Sequence, residues 1–364
     1  MGSIRRKTGS YEARYRDLSG RSRSKSFRTK SEASAFLAQV ETAQHAGTWV
    51  DPQHGRIRFS VWAEQETGSW SDLRPATRAR ADSLIRIHVM PEFRDRPIGS
   101  ITNLHVQSWV TRLSEAGLSA STVQGCYRLL SRILASAVSA RLIAASPCHD
   151  VRLPRLESKE MLFLTAEELH RLAQTAERFT TLIYSAGYLG LRWGELAGLR
   201  RGRVDLLRGN IEVVETLNDV GGHLHFGPPK TKASRRRVSV PEFLVSMLSE
   251  HLLSRPGGPE ELVFVGRDGA PLRRTAFRSR HWKPAVQRAG LPESLRFHDL
   301  RHTCASLLIA QGAHPKEIQA RLGHSSITTT LDRYGHLFPS LDDRLRDGLD
   351  ATFRAAAESG GIES

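Results

Sequence analysis

Apolar positions recur at helical spacing through most of this chain and alternate as strands do only in short stretches. Amphipathic periods run from Phe59 to Thr67, Pro75 to Met90, Thr102 to Ala116 and Ser119 to Leu142, separated by Gly, Pro or Ser signals. They predict one four-helix domain over residues 56–146. Upstream, Gly9-Ser10-Tyr11-Glu12-Ala13-Arg14-Tyr15-Arg16 alternates, Ser19-Gly20 signals a turn, and Lys25-Ser26-Phe27-Arg28 reads as the partner strand. Ser31 then caps a helix through Ala35, Leu37 and Val40. A disordered basic tail is the alternative for this region, and the interleaved aromatics argue against it.

Residues 147–160 carry Pro147, Pro154 and mixed charges without an apolar period, which predicts a linker. A further domain opens at the capping box Thr165-Ala166-Glu167-Glu168, ahead of a helix from Glu167 to Ala176 and an apolar helix from Phe179 to Tyr188. Ile211 to Val214 and Arg237 to Val240 are strand patterns joined by a loop rich in Gly, Pro and Lys. Near the end, a helix over Phe297 to Gln311 buries Leu300, Cys304, Leu307 and Leu308 and stops at Gly312. A second runs from Pro315 to Leu322 and ends at Gly323; a third, opened by Ser325 or Ser326, carries Tyr334. The predicted class is mainly α with small β-sheets (α+β).

Composition narrows the partners. A chain of 364 residues with 39% hydrophobic content has room for several cores, and a formal net charge of +15 exceeds what solubility needs. Nucleic acid is the first candidate, because neither a long apolar span nor a basic amphipathic helix suggests a membrane. Residues 1–30 alone hold ten Lys or Arg against two acids. Cys126, Cys148 and Cys304 are scattered and odd in number, which fits a reducing compartment. The basic start has no apolar segment after it, so no signal peptide is read there and the cytoplasm is expected.

The chemistry concentrates in His298-Asp299-Leu300-Arg301-His302, Leu322-Gly323-His324 and Tyr334. Residues three apart share a helix face, so His298 and Arg301 project together. The cluster suits a phosphate held by Arg and His in front of a tyrosine, as a phosphatase or a topoisomerase would also need. His302 directly follows Arg301 and reads as structural, and His336 is a lesser competitor for a catalytic role. No histidine pair with a carboxylate has zinc-site spacing, and no GxxxxGK loop is present.

Adding the upstream box Gly190-Leu191-Arg192-Trp193-Gly194-Glu195-Leu196 and the hairpin lysines, the chain resembles the tyrosine recombinase family, and within it the lambda-type phage integrases. The resemblance implies a three-stranded arm-site DNA-binding module at 1–50, a helical core-binding domain at 56–146, a catalytic domain at 160–345 and a tail at 346–364. It implies that Arg192 and Arg301 grip the nonbridging oxygens of a scissile phosphate, assisted by His298 and His324. Tyr334 would attack the phosphorus, and Glu195 would support the site. The family's lysine falls in Pro229-Lys230-Thr231-Lys232-Ala233-Ser234-Arg235; Lys232 is favoured as closer to the second strand, with Lys230 the alternative. The run Arg235-Arg236-Arg237 reads as a strand that also touches phosphate.

The resemblance further implies double-stranded DNA attachment sites, a homotetramer on DNA, and a place for a DNA-bending host factor and an excision factor. It implies no metal and no nucleotide cofactor, since the phosphotyrosyl link conserves the bond energy. Leu337, Phe338, Leu345, Leu349 and Phe353 could pack against a neighbouring protomer or in cis. A type IB topoisomerase and a noncatalytic DNA-binding regulator remain the competing readings.

Overall fold

The computed structural model describes residues 2–17, 20–46, 49–51, 53–156, 160–229, 231–338 and 342–360. The chain divides into two compact units, Met1–Ser158 and Lys159–Ser364. Among the described residues, no helix is long and apolar enough to cross a membrane.

The first unit begins with an antiparallel sheet of β1 (Ser3–Lys7), β2 (Ser10–Arg16) and β3 (Ser22–Phe27), with β2 central and Tyr11 opposite Arg6 and Phe27. Strand β1 escapes a pattern search because Ile4 is the one apolar residue in a basic run. The sheet packs Ala13, Tyr11, Tyr15 and Phe27 against Ala33, Phe36 and Leu37 of α1 (Lys30–His45). Thr29, not Ser31, caps α1: its hydroxyl accepts from the Glu32 N–H, and the Glu32 carboxylate accepts from the Thr29 N–H. The reciprocal box needs an acid three residues on, which Thr29 has and Ser31 lacks.

The helical part follows as α2 (Phe59–Gly68), α3 (Pro75–Leu84), α4 (Met90–Phe93), α5 (Asn103–Glu115) and α6 (Ala120–Ser139) around a core that includes Phe59, Trp70, Phe93, Trp109 and Leu130. A π-helical segment, Ile85–Val89, joins α3 to α4 just before Pro91, whose missing N–H disrupts the regular ladder. The predicted linker is not wholly free: Tyr127 Oη donates to the Cys148 carbonyl at 3.1 Å and Gln124 Nε2 to that of Pro154 at 3.0 Å. Residues 157–159 lie outside the described residues.

In the second unit the chain runs α7 (Ala166–Thr175), α8 (Thr180–Leu189), α9 (Trp193–Ala197), β4 (Val204–Asp205), β5 (Asn210–Val213), β6 (Thr216–Val220), β7 (His223–Gly227) and β8 (Arg236–Ser239). It continues through α10 (Glu242–Leu253), α11 (Arg274–Phe277), α12 (Lys283–Arg288), α13 (Asp299–Ala310), α14 (Pro315–Leu322), α15 (Ile327–Tyr334) and α16 (Asp342–Gly360). Helix α8 is apolar almost all round and is buried, packing on α7, α10 and α13.

Strands β4, β5 and β8 form one sheet, while β6 and β7 form a separate hairpin inside the segment expected to be a loop. Its signal is present in Leu217 to Phe226, where Gly221-Gly222 supplies the two positive φ values, 59° and 84°, that a two-residue hairpin turn requires. In the tail, Leu349 and Phe353 on α16 are 69% and 74% exposed, whereas Leu337 and Phe338 pack beside Tyr334. The Leu345 side chain and residues 361–364 lie outside the described residues.

Candidate active site

Arg192 is placed by a helix start. It caps α9 in an extended conformation, and Glu195 one turn later accepts from the Arg192 N–H at 2.9 Å and from its Nη1 at 2.8 Å. Glu195 is 2% exposed and also takes Arg236 Nη2 at 2.9 Å and Nη1 at 3.2 Å. Strand alternation divides the arginine run: Arg236 turns inward to Glu195, while Arg237 turns outward to Glu212 at 2.6 Å. The expected phosphate contact for the whole run therefore does not fit Arg236. Burial pushes the Glu195 carboxyl up, but the hydrogen bond and charge of Arg236 and the charge of Arg192 hold it below the usual carboxylate range.

One anion between two guanidinium groups leaves the triad cationic, with Glu195 and Arg236 buried and Arg192 partly exposed. Glu195→Gln is expected to lower unfolding free energy by about 3 kcal/mol or more, because it strips the counter-charge from a buried ion pair. Urea unfolding of the two proteins measures this, and equal midpoints would refute the role.

Arg301 sits in the first turn of α13, and His298 occupies the N-terminal position of that helix without a side-chain capping bond. Arg301 is 2% exposed; Nη1 donates to the Gly190 carbonyl at 2.6 Å and Nη2 to the Leu322 carbonyl, at the C-terminal ends of α8 and α14. Helix α14 ends at Gly323, whose φ of +65° and close approach to the Ala233 carbonyl exclude a side chain. That turn delivers His324, whose Nδ1 shares a hydrogen bond of 2.9 Å with Thr330 Oγ1. His324 Nε2 is buried without a hydrogen-bond partner among the described residues, and a phosphate oxygen would satisfy it.

These segments enclose a cleft of about 390 Å³ lined by Arg192, Ser234, His298, Arg301, His324 and Arg333, among others. Four sequence-derived site residues, Arg192, His298, Arg301 and His324, thus meet at one place. Tyr334 ends α15 and does not line the cleft: it is fully buried, its ring parallel to that of His324 at 6.4 Å. Lys232 opens a 3-10 turn, Lys232–Ser234, and its neighbours Thr231 and Ser234 line the cleft. The Lys232 side chain, and the alternative Lys230 altogether, lie outside the described residues.

His302, read from the sequence as structural, is buried beside the tyrosine. Its Nδ1 shares a hydrogen bond of 2.8 Å with the Tyr334 hydroxyl, and its ring stands perpendicular to that of His298 at 5.1 Å. The signal was available, since His302 is four residues from His298 and so shares its face.

Cations and burial set the charge states. Burial first, then the charge of Arg192, pushes Arg301 down to about 9, still protonated at neutral pH. Burial, then His302 and Arg301, holds His298 down to about 4; burial, then Arg301 and Arg192, holds His324 down to about 3. His302 is likewise pushed to about 4, chiefly by burial.

For bases with depressed folded values, the unfolded chain binds more protons once pH drops below its own value near 6.5. Their stabilising effect is therefore complete above that pH and is lost as pH falls toward about 4. Melting temperature should begin falling near pH 6.5, above the range where carboxylates protonate. A flat profile between pH 7 and 5 would refute it.

Comparisons with known proteins show the family. Residues 162–340 match the phage integrase family and residues 62–114 the N-terminal SAM-like domain of phage integrases. The ICEBs1 integrase of Bacillus subtilis (strain 168) is 32% identical over 292 residues, spanning 77% of this chain and 78% of that protein. The chain belongs to the phage integrase family of tyrosine recombinases.

The fold of the family extends over most of the chain. The Tn1549 transposon integrase in complex with transposon right end DNA matches with a TM-score of 0.70 at 21% identity, over 81% of this chain and 99% of that one. A lambda integrase tetramer bound to a Holliday junction matches with a TM-score of 0.59 at 20% identity, over 89% and 96%. At those identities the likeness is one of fold.

Proposed function

We propose that this integrase is a site-specific recombinase that cuts and rejoins duplex DNA through a 3′-phosphotyrosyl link to Tyr334. The observation that carries the reading is the convergence of Arg192, Arg301, His298 and His324 on one cleft with the Tyr334 ring stacked behind it. Guanidinium suits a phosphate because its fixed fork donates in pairs and keeps its charge. Burial raises the Tyr334 hydroxyl above its ordinary value, while the charges of Arg301 and Arg333 oppose that rise and favour the phenolate needed for attack.

In the proposed step the Tyr334 oxygen bonds to phosphorus as the P–O5′ bond breaks. The phenol gives its proton to solvent water, and the departing 5′-oxygen gains one from Lys232, with Lys230 as the alternative donor. His298 and His324, neutral by the shifts above, donate hydrogen bonds to the phosphate rather than charge. Attack by the 5′-hydroxyl of a partner strand reverses the chemistry, so no metal or nucleotide is required.

The basic module at 1–50 is assigned to arm sites and the helices at 56–146 to core sites, with residues 160–345 catalytic and 346–364 a tail. The net charge of +15 supports a polyanionic partner. The proposed assembly is a homotetramer on a Holliday junction, in the cytoplasm of a bacterial host, with a DNA-bending factor and an excision factor as accessory partners. The exposed Leu349 and Phe353 favour packing of the tail on a neighbouring protomer.

The test is trapping. Protein incubated with attachment DNA nicked beside the cut should accumulate a covalent adduct whose modified peptide contains Tyr334, and a two-site plasmid should recombine. Relaxation of supercoils without recombination would favour the topoisomerase reading. An adduct on another residue would sink the mechanism.

A further inference from the structure

The geometry points to His302 as the positioning residue of Tyr334, its Nδ1 fixing the hydroxyl of a fully buried ring that does not line the phosphate cleft. This rests on the reading of Tyr334 as nucleophile. The hydroxyl has one proton to donate, and its described partner is His302 Nδ1 at 2.8 Å. The ring is fully buried beside Cys304 and Leu322, and it does not line the cleft even though its stacking neighbour His324 does. His298, which also lines the cleft, stands against His302 from one turn earlier.

Burial keeps the His302 ring neutral, which leaves Nδ1 able to accept the phenol proton's hydrogen bond. Packing alone does not orient a hydroxyl; this bond does. To reach a phosphate in the cleft the hydroxyl must exchange His302 for phosphorus, so the bond sets how often the nucleophile is presented. Arg333 precedes Tyr334 and lines the cleft, placing a cation for the DNA backbone on the same turn.

The full-length protein without DNA tests this directly. Nitration of Tyr334 by tetranitromethane, followed by peptide mass spectrometry, reports how exposed the ring and hydroxyl are. Wild type should be protected. In His302→Leu the buried hydroxyl loses its partner, and nitration of Tyr334 should rise about tenfold with the other tyrosines unchanged. His302→Asn, whose side-chain oxygen falls near the position of Nδ1, should restore protection.

His302→Gln carries its amide one carbon further out and should expose Tyr334 as Leu does, which keeps the test decisive if the Leu variant misfolds. The initial rate of adduct formation on nicked DNA should rise several-fold in the Leu and Gln variants and return to the wild-type rate in the Asn variant. Unchanged protection in the Leu and Gln variants would overturn the proposal, since packing alone would then hold the ring. So would an adduct yield reduced a hundredfold in folded variants, which would make His302 a proton acceptor in the chemistry. Wild-type protein that forms no adduct would instead sink the nucleophile reading, and the nitration result would still decide what holds Tyr334.

Discussion

Tyr334→Phe is expected to abolish the covalent protein–DNA adduct, by at least about 10⁴-fold, while duplex binding stays within a few-fold of wild type. The ring is fully buried, so phenylalanine keeps every packing contact and removes only the oxygen. Stability should fall modestly, by about 1 to 3 kcal/mol, because His302 loses its partner at 2.8 Å. Binding depends on cationic contacts with the phosphate backbone, which the substitution does not touch. Ser234, Ser325 and Thr329 also line the cleft, so the chain holds other hydroxyls near the phosphate. An adduct that persists in the Phe variant and maps to one of these would remove Tyr334 from the mechanism. A noncatalytic regulator would form no adduct in either protein.

What could be read from the sequence was what local spacing encodes. The three C-terminal helices and their ends were legible because Pro315, Gly323 and Ser326 act within a turn of themselves, and Ser326 does cap α15. The helices of residues 59–139 were legible for the same reason. Strand β1 was not, since a basic edge strand has no apolar alternation to show. The hairpin β6–β7 was hidden by its own composition, in which turn glycines and polar residues look like a loop.

The candidate site was legible residue by residue, but its wiring was not. Nothing local says that Arg236 reaches Glu195 across 41 positions or that Arg301 bonds to carbonyls at the ends of two other helices. The reading of His302 as structural considered its neighbour Arg301 and left out the face it shares with His298, so its bond to Tyr334 was not foreseen. Side-chain partners across the chain are a property of packing, which a periodicity cannot carry.

Arg301→Lys is the second decisive substitution, and it is expected to slow adduct formation by about 10² to 10³-fold on nicked DNA. The reason lies in how many bonds one group makes. Arg301 already spends donors on the Gly190 and Leu322 carbonyls, and a guanidinium has five, so it can hold the protein and a phosphate oxygen together. An ammonium has three donors on a point, and one that satisfies both carbonyls points away from the cleft. The positive charge survives while the fork is lost, which separates geometry from electrostatics. Affinity for duplex should change no more than about tenfold, since many other cations contribute to backbone binding. Single-turnover cleavage at saturating protein measures the first effect and a binding titration at fixed salt the second. Cleavage within tenfold of wild type would mean that charge alone suffices at this position, and the bidentate grip assigned to Arg301 would have to be abandoned.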